Sequence, residues 1–465
     1  MEKRLILAAA LCFSSVLYSQ LSLTKDASYG TNGTIDFTVN NSNDLVWNRH
    51  YVTSDNYVVI CPLDAASNAN FMTYDANGTL LSTITLPAQG DASVLYADSN
   101  TVYPVADGKL YKYSINGSAD PSFGNNGELL IGSNFSATNY STASYLSDGK
   151  ILVRNQDSFT RFNANGAVDI SYGNNGTVNI TAASPSSSVL NEGINSTYFF
   201  ENSGGRRKIN VNTGALDVSY GNNGYSVYSN QSGYVPFDPE AVTNNFEIFT
   251  LLFKNGSSFD YALSKTKNDG NIDNAFGNSG IVSLPQTFNN KVLYYGLTMG
   301  MDDYNNNVFL PLTVRQQQGD DTDAKVGFSC YAAAGNLIKI NGSDIFESDI
   351  PGNSNNISVE VKGNYLYLFT QTSVSRYIIS GGTLNLKERI TDYNQIHFNN
   401  PFSSEIILNS KEKIKQIEIY DGNGRLMLKE KGQDRINTTQ LNTGIYLIKF
   451  ITESNKIISR QAIKN

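Results

Sequence analysis

Apolar residues along most of the chain come in short runs, four to eight residues long, punctuated by Gly, Asn and Asp. Some runs alternate, as in KLYKY and TVNI, and others are continuous, as in YVVIC (Tyr57–Cys61) and FEIFTLLF (Phe246–Phe253). Alternation marks a half-buried strand and a short bounded run marks a buried one. No stretch keeps a 3.6-residue period, so the pattern predicts strands and turns without helices.

The runs are organised as a repeat. A strand closed by a Gly turn recurs in FMTYDANG, KLYKYSING, TRFNANG, KINVNTG, ALSKTKNDG, FSCYAAAG and SRYIISGG, ending at Gly78, Gly117, Gly166, Gly214, Gly270, Gly335 and Gly382. Each follows another apolar run, which defines seven units at a mean period of about 51 residues. Downstream of several units lies an octet: DASYGTNG (Asp26–Gly33), DPSFGNNG (Asp120–Gly127), DISYGNNG (Asp169–Gly176), DVSYGNNG (Asp217–Gly224) and DNAFGNSG (Asp273–Gly280). Gly and Asn tolerate positive φ, Asp caps nearby backbone N–H groups, and the aromatic is expected to anchor the turn on the body.

Three or four short strands per unit at this period predict the blades of a β-propeller, about seven in number, over residues 21–398. A β-helix would need a much shorter period, and separate sandwiches about 100 residues each. The first octet has no strand pair before it, and the last unit has no octet after it. The N-terminal segment is therefore expected to complete the seventh blade and remove the open edges of the ring. The first and sixth units lack a clear octet. The octets resemble the delta-60 repeat of bacterial secreted proteins through the core D-x-[SA]-[FY]-G-x-[NS]-G, in five copies. That resemblance implies a propeller-like all-β repeat and no defined catalytic activity.

The text changes near residue 399. Strands are predicted at Ile406–Leu408, Lys415–Tyr420, Arg425–Lys429, Gly444–Ile451 and Lys456–Ile463, with DGNG (Asp421–Gly424) as a hairpin turn. These make a small β-sandwich over 399–465. From Asn400 onward there are 11 Lys and Arg against 7 Asp and Glu, in a chain whose net charge is −8. Such a charge break marks a domain boundary. Asn400-Pro401-Phe402, IYDGNGRLM (Ile419–Met427), LNTGIYLIKF (Leu441–Phe450) and KIISRQAIK (Lys456–Lys464) closely resemble the type A C-terminal sorting domain of the type IX secretion system. The resemblance implies passage across an outer membrane after Sec export, removal of the domain, and release or attachment at the cell surface.

The N-terminus fits that route. Lys3 and Arg4 precede an apolar run from Leu5 to about Val16 and then small and polar residues. This is a secretory signal peptide over 1–20, with cleavage expected after Ser19 or Gln20. Cys12 follows Leu11 where a lipoprotein would need a small residue. No other segment is apolar enough for a membrane helix.

Composition narrows function mainly by exclusion. Charged residues are 16% and aromatics 11%, with 28 Tyr and 23 Phe, which excludes a disordered chain, a collagen and a coiled coil. The acidic balance argues against nucleic acid as a partner. Of the mature cysteines, Cys61 and Cys330 both sit in apolar strand text and are expected to be buried free thiols, although export would permit a disulfide. Of two histidines, His397 falls in the linker, and His50, beside Trp47, is expected to pack at a blade edge. No G-x-S-x-G, H-E-x-x-H, Cys-x-x-Cys pair, P-loop or G-x-G-x-x-G occurs.

Asp302-Asp303 and Asp320, Asp321 and Asp323 are the densest carboxylates, but neither group has calcium-loop spacing, so a solvated acidic loop is expected. The octet aspartates Asp26, Asp120, Asp169, Asp217 and Asp273 are assigned to turns, not to a metal. No catalytic, cofactor-binding or metal-binding residue is assigned, and no cofactor is expected. The expected protein is an exported, non-enzymatic binding or adhesion module. The alternative is a polysaccharide hydrolase or lyase with its site in the propeller channel. Expected partners are the type IX machinery, through residues 400–465, and a glycan or protein ligand. A monomer is expected, with no nucleic acid and no membrane span in the mature chain.

Overall fold

The computed structural model describes residues 20–37, 49–88, 92–131, 143–146, 148–155, 158–179, 191–192, 197–202, 205–227, 233–243, 247–254, 260–295, 299–302, 306–317, 323–351, 357–381, 396–398, 402–410, 413–421, 425–452 and 457–464. Residues 1–19 of the expected signal peptide, Trp47, Asp303, Asp320 and Asp321 lie outside them. Every regular element among the described residues is a strand. The chain divides into two compact units, 1–384 and 385–465.

The first unit is a β-propeller of seven antiparallel blades in chain order. Blades 1 to 6 span 50–87, 92–130, 143–179, 191–227, 234–283 and 287–351. Blade 7 takes Ser358–Lys362, Tyr365–Phe369 and Ser373–Gly381 from the end of the unit and its outer strand from the beginning. Gln20–Lys25 pairs antiparallel with Ser373–Gly381, placing Leu23 opposite Ile379, and Thr34–Asp36 pairs with the other half of that strand. The N-terminal segment thus closes the ring as expected. Gln20 and Leu21 also pair in parallel with Lys339 and Ile340 of blade 6.

Each blade face is apolar and can be buried only against its neighbour, so the core is a circle of separate clusters. Val59, Phe71, Val94 and Val102 fill the space between blades 1 and 2. Val105, Phe123 and Ile151 join blades 2 and 3, Phe159, Tyr172 and Ile209 join 3 and 4, and Tyr220 meets Ile248 between 4 and 5. Leu251 and Leu310 share a cluster between blades 5 and 6, and Phe328 and Leu366 between 6 and 7. Tyr29, Val58 and Tyr367 close the circle between 7 and 1. Cys61 and Cys330 are buried free thiols in different clusters. Burial pushes the Cys330 thiol well above its ordinary range, which leaves it inert.

The octet interrupts the outer strand of its blade and clasps the next blade. Its Asp carboxylate accepts the N–H two residues on, as from Ser28 to Asp26 at 3.1 Å and Ala275 to Asp273 at 3.2 Å. The same carboxylates pair with cations of their own blade: Arg376, Lys112, Arg161 with Lys150, Lys208 and Lys265 for Asp26, Asp120, Asp169, Asp217 and Asp273. The fourth residue (Tyr29, Phe123, Tyr172, Tyr220 or Phe276) is at most 1% exposed. The fifth is Gly at φ between 54° and 59°, and the seventh, Asn or Ser, is also left-handed. Gly30, Gly124 and Gly221 donate their N–H to Asn77, Asn165 and Asp269, carbonyls in the Gly hairpin of the following blade. The two backbones touch there: a Cβ on Gly166 would lie 2.8 Å from the Gly124 nitrogen. The Gly hairpin and the octet are therefore two halves of one inter-blade joint, which is why both recur.

The second unit is a sandwich of two sheets. One holds Ile396–Phe398, Glu405–Ser410 and Arg435–Asn437, and the other Leu426–Lys431, Ile414–Asp421, Gly444–Thr452 and Ile457–Lys464. Ile406, Ile417, Ile436 and Phe450 are fully buried between them. His397 is on a strand opposite Asn409, not in a linker: Ile396–Phe398 already belongs to this sheet.

Candidate functional site

Inner strands line the axis of the ring: the first strands of blades 1 and 2 and of 2 and 3 contact one another, and Gly300–Met301 of blade 6 contacts the first strands of blades 5 and 7. Polar and aromatic side chains gather on four of them. Blade 1 contributes His50 and Tyr51 from His50–Val52, and blade 7 contributes Ser358 and Glu360 from Ser358–Lys362. Blades 2 and 3 contribute Tyr96 from Ala92–Ala97 and Tyr145 from Ala143–Tyr145.

Strand alternation sets the aim of each group. Ser358 and Glu360, two apart, share one face and meet His50 across the closure seam. His50 Nε2 lies 3.0 Å from Ser358 Oγ and 3.3 Å from Glu360 Oε1. Its ring stacks on Phe369 at 3.9 Å. Glu360 Oε2 accepts the Val52 N–H at 3.3 Å, so the carboxyl bridges side chain and backbone of blade 1. Burial pushes the Glu360 carboxyl up to about 7, against the weaker pull of Lys362 and the Val52 N–H. It still keeps 26% of its side-chain surface open, while His50 keeps 7%.

Tyr51 points the other way, toward blade 2. Its ring meets Tyr96 edge-on at 5.6 Å, and Tyr96 stacks on Tyr145 at 4.0 Å with planes 13° apart. Tyr103 backs the stack from the second strand of blade 2, 5.0 Å from Tyr145. Burial, followed by nearby Asp98, pushes the Tyr96 phenol up to about 12. Tyr51, Tyr96 and Tyr145 are half-buried. The outcome is an arc of Ser358, Glu360, His50 and three tyrosines over consecutive inner strands.

The described contacts of His50 differ from those of a nucleophilic triad. In a Ser-His-acid triad the imidazole faces serine with one nitrogen and the acid with the other. Here Ser358 and Glu360 both approach Nε2, so the acid cannot hold the ring as a base for the serine. Glycoside hydrolysis needs two carboxyls about 5–9.5 Å apart. Among the first-strand side chains described, Glu360 is the one carboxylate, with Asp98 just past the end of the blade 2 strand beside Tyr96; Glu192, Asp238 and Glu240 lie outside that set.

The other sequence candidates fall elsewhere. His50 does sit on an edge strand of its blade, as expected, and that edge is the inner one, facing the axis. Asp302 is buried and accepts a 2.6 Å hydrogen bond from Asn307 Nδ2, so it is not part of a solvated loop, whereas Asp323 is exposed. The octet aspartates serve turns and ion pairs, and no group of three or more His, Cys, Asp or Glu among the described residues could hold a metal. Sequence inspection missed Ser358, Glu360, Tyr96 and Tyr145, whose strands carry no motif. Likewise, no helix among the described residues is long and apolar enough to cross a membrane.

Residues 398–464 match the family model of the secretion system C-terminal sorting domain. The chain thus carries a type IX sorting tail, which marks it as secreted or displayed at the cell surface. A comparison of the sequence with curated proteins gives no match. Among solved structures, the chain is similar to the extracellular domain of the putative one component system BT4673 from B. thetaiotaomicron, at 10% identity and TM-score 0.40. That likeness covers 96% of this chain and 59% of that one. It is also similar to YCF48 bound to D1 peptide, at 10% identity and TM-score 0.44, covering 76% of this chain and 98% of that one. A third likeness is to KlHsv2 with loop 6CD replaced by a Gly-Ser linker, at 10% identity and TM-score 0.38, covering 85% and 99%.

Proposed function

We propose that this chain is an exported binding protein: a propeller that holds a ligand at the axial arc, delivered by its C-terminal unit. In this proposal residues 1–20 are removed as a signal peptide, the propeller is the working part, and 399–465 engage the type IX machinery and are then removed. The delta-60 identity of the repeat belongs to the same proposal. One observation carries the binding role: hydrogen-bonding groups and aromatic faces gather on adjacent inner strands of blades 7, 1, 2 and 3. Ligand sites commonly combine apolar and aromatic faces with a few placed polar groups, the combination that the arc offers. The test is an array of glycans and proteins probed with the full chain and with a His50→Ala, Tyr96→Ala double variant. A partner retained equally by both would sink the site.

The rival, a polysaccharide hydrolase or lyase, draws on Glu360, whose carboxyl near 7 has the poise of a general acid. It requires product release from polysaccharide that Glu360→Gln abolishes.

A further inference from the structure

Resting on the proposal of a ligand site at the axial arc, we infer that its ligand class is a neutral oligosaccharide, seated with a sugar face on the Tyr96–Tyr145 stack and its hydroxyls toward the open edge of Glu360, which the buried Ser358 and His50 hold in place from behind.

Sugar hydroxyls both donate and accept, and so do a serine hydroxyl, an imidazole and a carboxyl that shares a hydrogen-bonded cluster. The axial C–H faces of a sugar ring suit the apolar face of a tyrosine, whose phenol keeps a polar handle. The arc supplies both chemistries side by side: stacked rings 4.0 Å apart on blades 2 and 3, and the polar cluster across blades 1 and 7. Tyr51 links the two halves, 5.6 Å from Tyr96.

Other ligand classes fit less well. A phosphate or nucleotide calls for several cations, and Lys362 is the basic residue on the blade 7 inner strand beside the cluster. A purely apolar ligand would strip water from the open Glu360 carboxyl without replacing its hydrogen bonds. A peptide adding as a strand needs free edge N–H groups, yet the Val52 N–H is already given to Glu360.

Isothermal titration of the full chain against hexaoses of β-1,4-glucose, β-1,3-glucose, xylose and mannose, with an unrelated hexapeptide as control, tests the inference. At least one hexaose should bind and the hexapeptide should not. Tyr96→Ala should weaken binding about tenfold and Tyr96→Phe, which keeps the face, less than about threefold. Should Tyr96→Ala unfold, Glu360→Gln, close in shape, serves in its place and should also weaken binding. Two failures are distinguishable. If no hexaose binds, while a protein from the array does and is lost in the His50, Tyr96 double variant, the arc is a ligand site and the saccharide inference falls. If a hexaose binds equally to wild type, Tyr96→Ala and Glu360→Gln, the arc itself is the wrong site.

Discussion

Asp26 and Arg376 stand 350 residues apart in the chain and form a buried ion pair at 2.7 Å across the closed end of the ring. The guanidinium lies between the rings of Tyr29 and Tyr365, at 4.2 and 4.4 Å, and donates to the Ala76 carbonyl in the blade 1 hairpin. Arg161 does the same work between blades 3 and 4, bonding Asp169 and the carbonyls of Val211 and Asn212. One arginine therefore ties the octet of its own blade to the hairpin of the next.

Removing one partner of a buried pair leaves the other charge without compensation, which costs about 3–5 kcal/mol. Arg376→Met should lower the stability of the propeller by that amount in denaturant titration. Deleting Leu21–Gly33 takes away the closing strand and the octet together and should lower the melting temperature more than Arg376→Met. An unchanged melting temperature in the deletion would refute closure by this segment.

Two left-handed glycines separate strain from collision. Gly149 has φ +82° and a Cβ there would meet nothing nearer than 3.6 Å, so Gly149→Ala should cost about 1–2 kcal/mol. Gly124 has φ +57° and its Cβ would fall 2.2 Å from the Glu128 carbonyl oxygen. Gly124→Ala adds overpacking to strain and should cost about 3–5 kcal/mol. Equal losses in the two variants would contradict the joint.

Two pH windows of opposite sign are expected. Glu360 is raised from 4.5 to about 7 on folding, so between those values the native state binds more protons than the unfolded chain. Stability then falls as pH rises from 4.5 to 7, by up to about 3 kcal/mol, and Glu360→Gln should flatten this limb. Asp120 is lowered to about 2 by its hydrogen bonds from Ser122 and Lys112, and Asp169 is lowered by Ser171 and Lys150. Their contributions are present above pH 4 and disappear as pH falls toward 2. Melting temperatures across pH 2–8 for wild type and Glu360→Gln check both limbs.

The sorting tail gives a test in cells. Deleting Asn400–Asn465 should leave the protein inside the outer membrane, read by immunoblot of culture medium and cell fractions. Peptide mapping of exported protein should recover the propeller and lack the tail. Export of the truncated chain at normal levels would overturn the role given to residues 400–465.

The parts of this fold legible in sequence are those made by local chemistry. Each octet names its own turn: an Asp cap, an anchoring aromatic, and Gly and Asn where φ must be positive. Its spacing gives the blade period, and its unmatched first copy points to the N-terminal closure. The inner strands were not legible. HYV and ASY are three residues long and look like the loops around them. Their pairing partners supply the signal their own residues lack, so His50 reads as an edge residue, and only the closed ring shows that its edge faces the axis. The strand Arg435–Asn437 in the second unit escaped notice for the same reason.

By itself the sequence determined an all-β chain of seven reiterated units with a distinct basic tail, because turn residues and apolar runs act over a few positions. Only the tertiary structure decided that His50, Ser358 and Glu360 meet, and that Tyr51, Tyr96 and Tyr145 line up beside them. The first contacts arise where strands 308 residues apart are brought together by ring closure and the second where neighbouring blades pack, and no short-range pattern encodes which side chains will then face the axis.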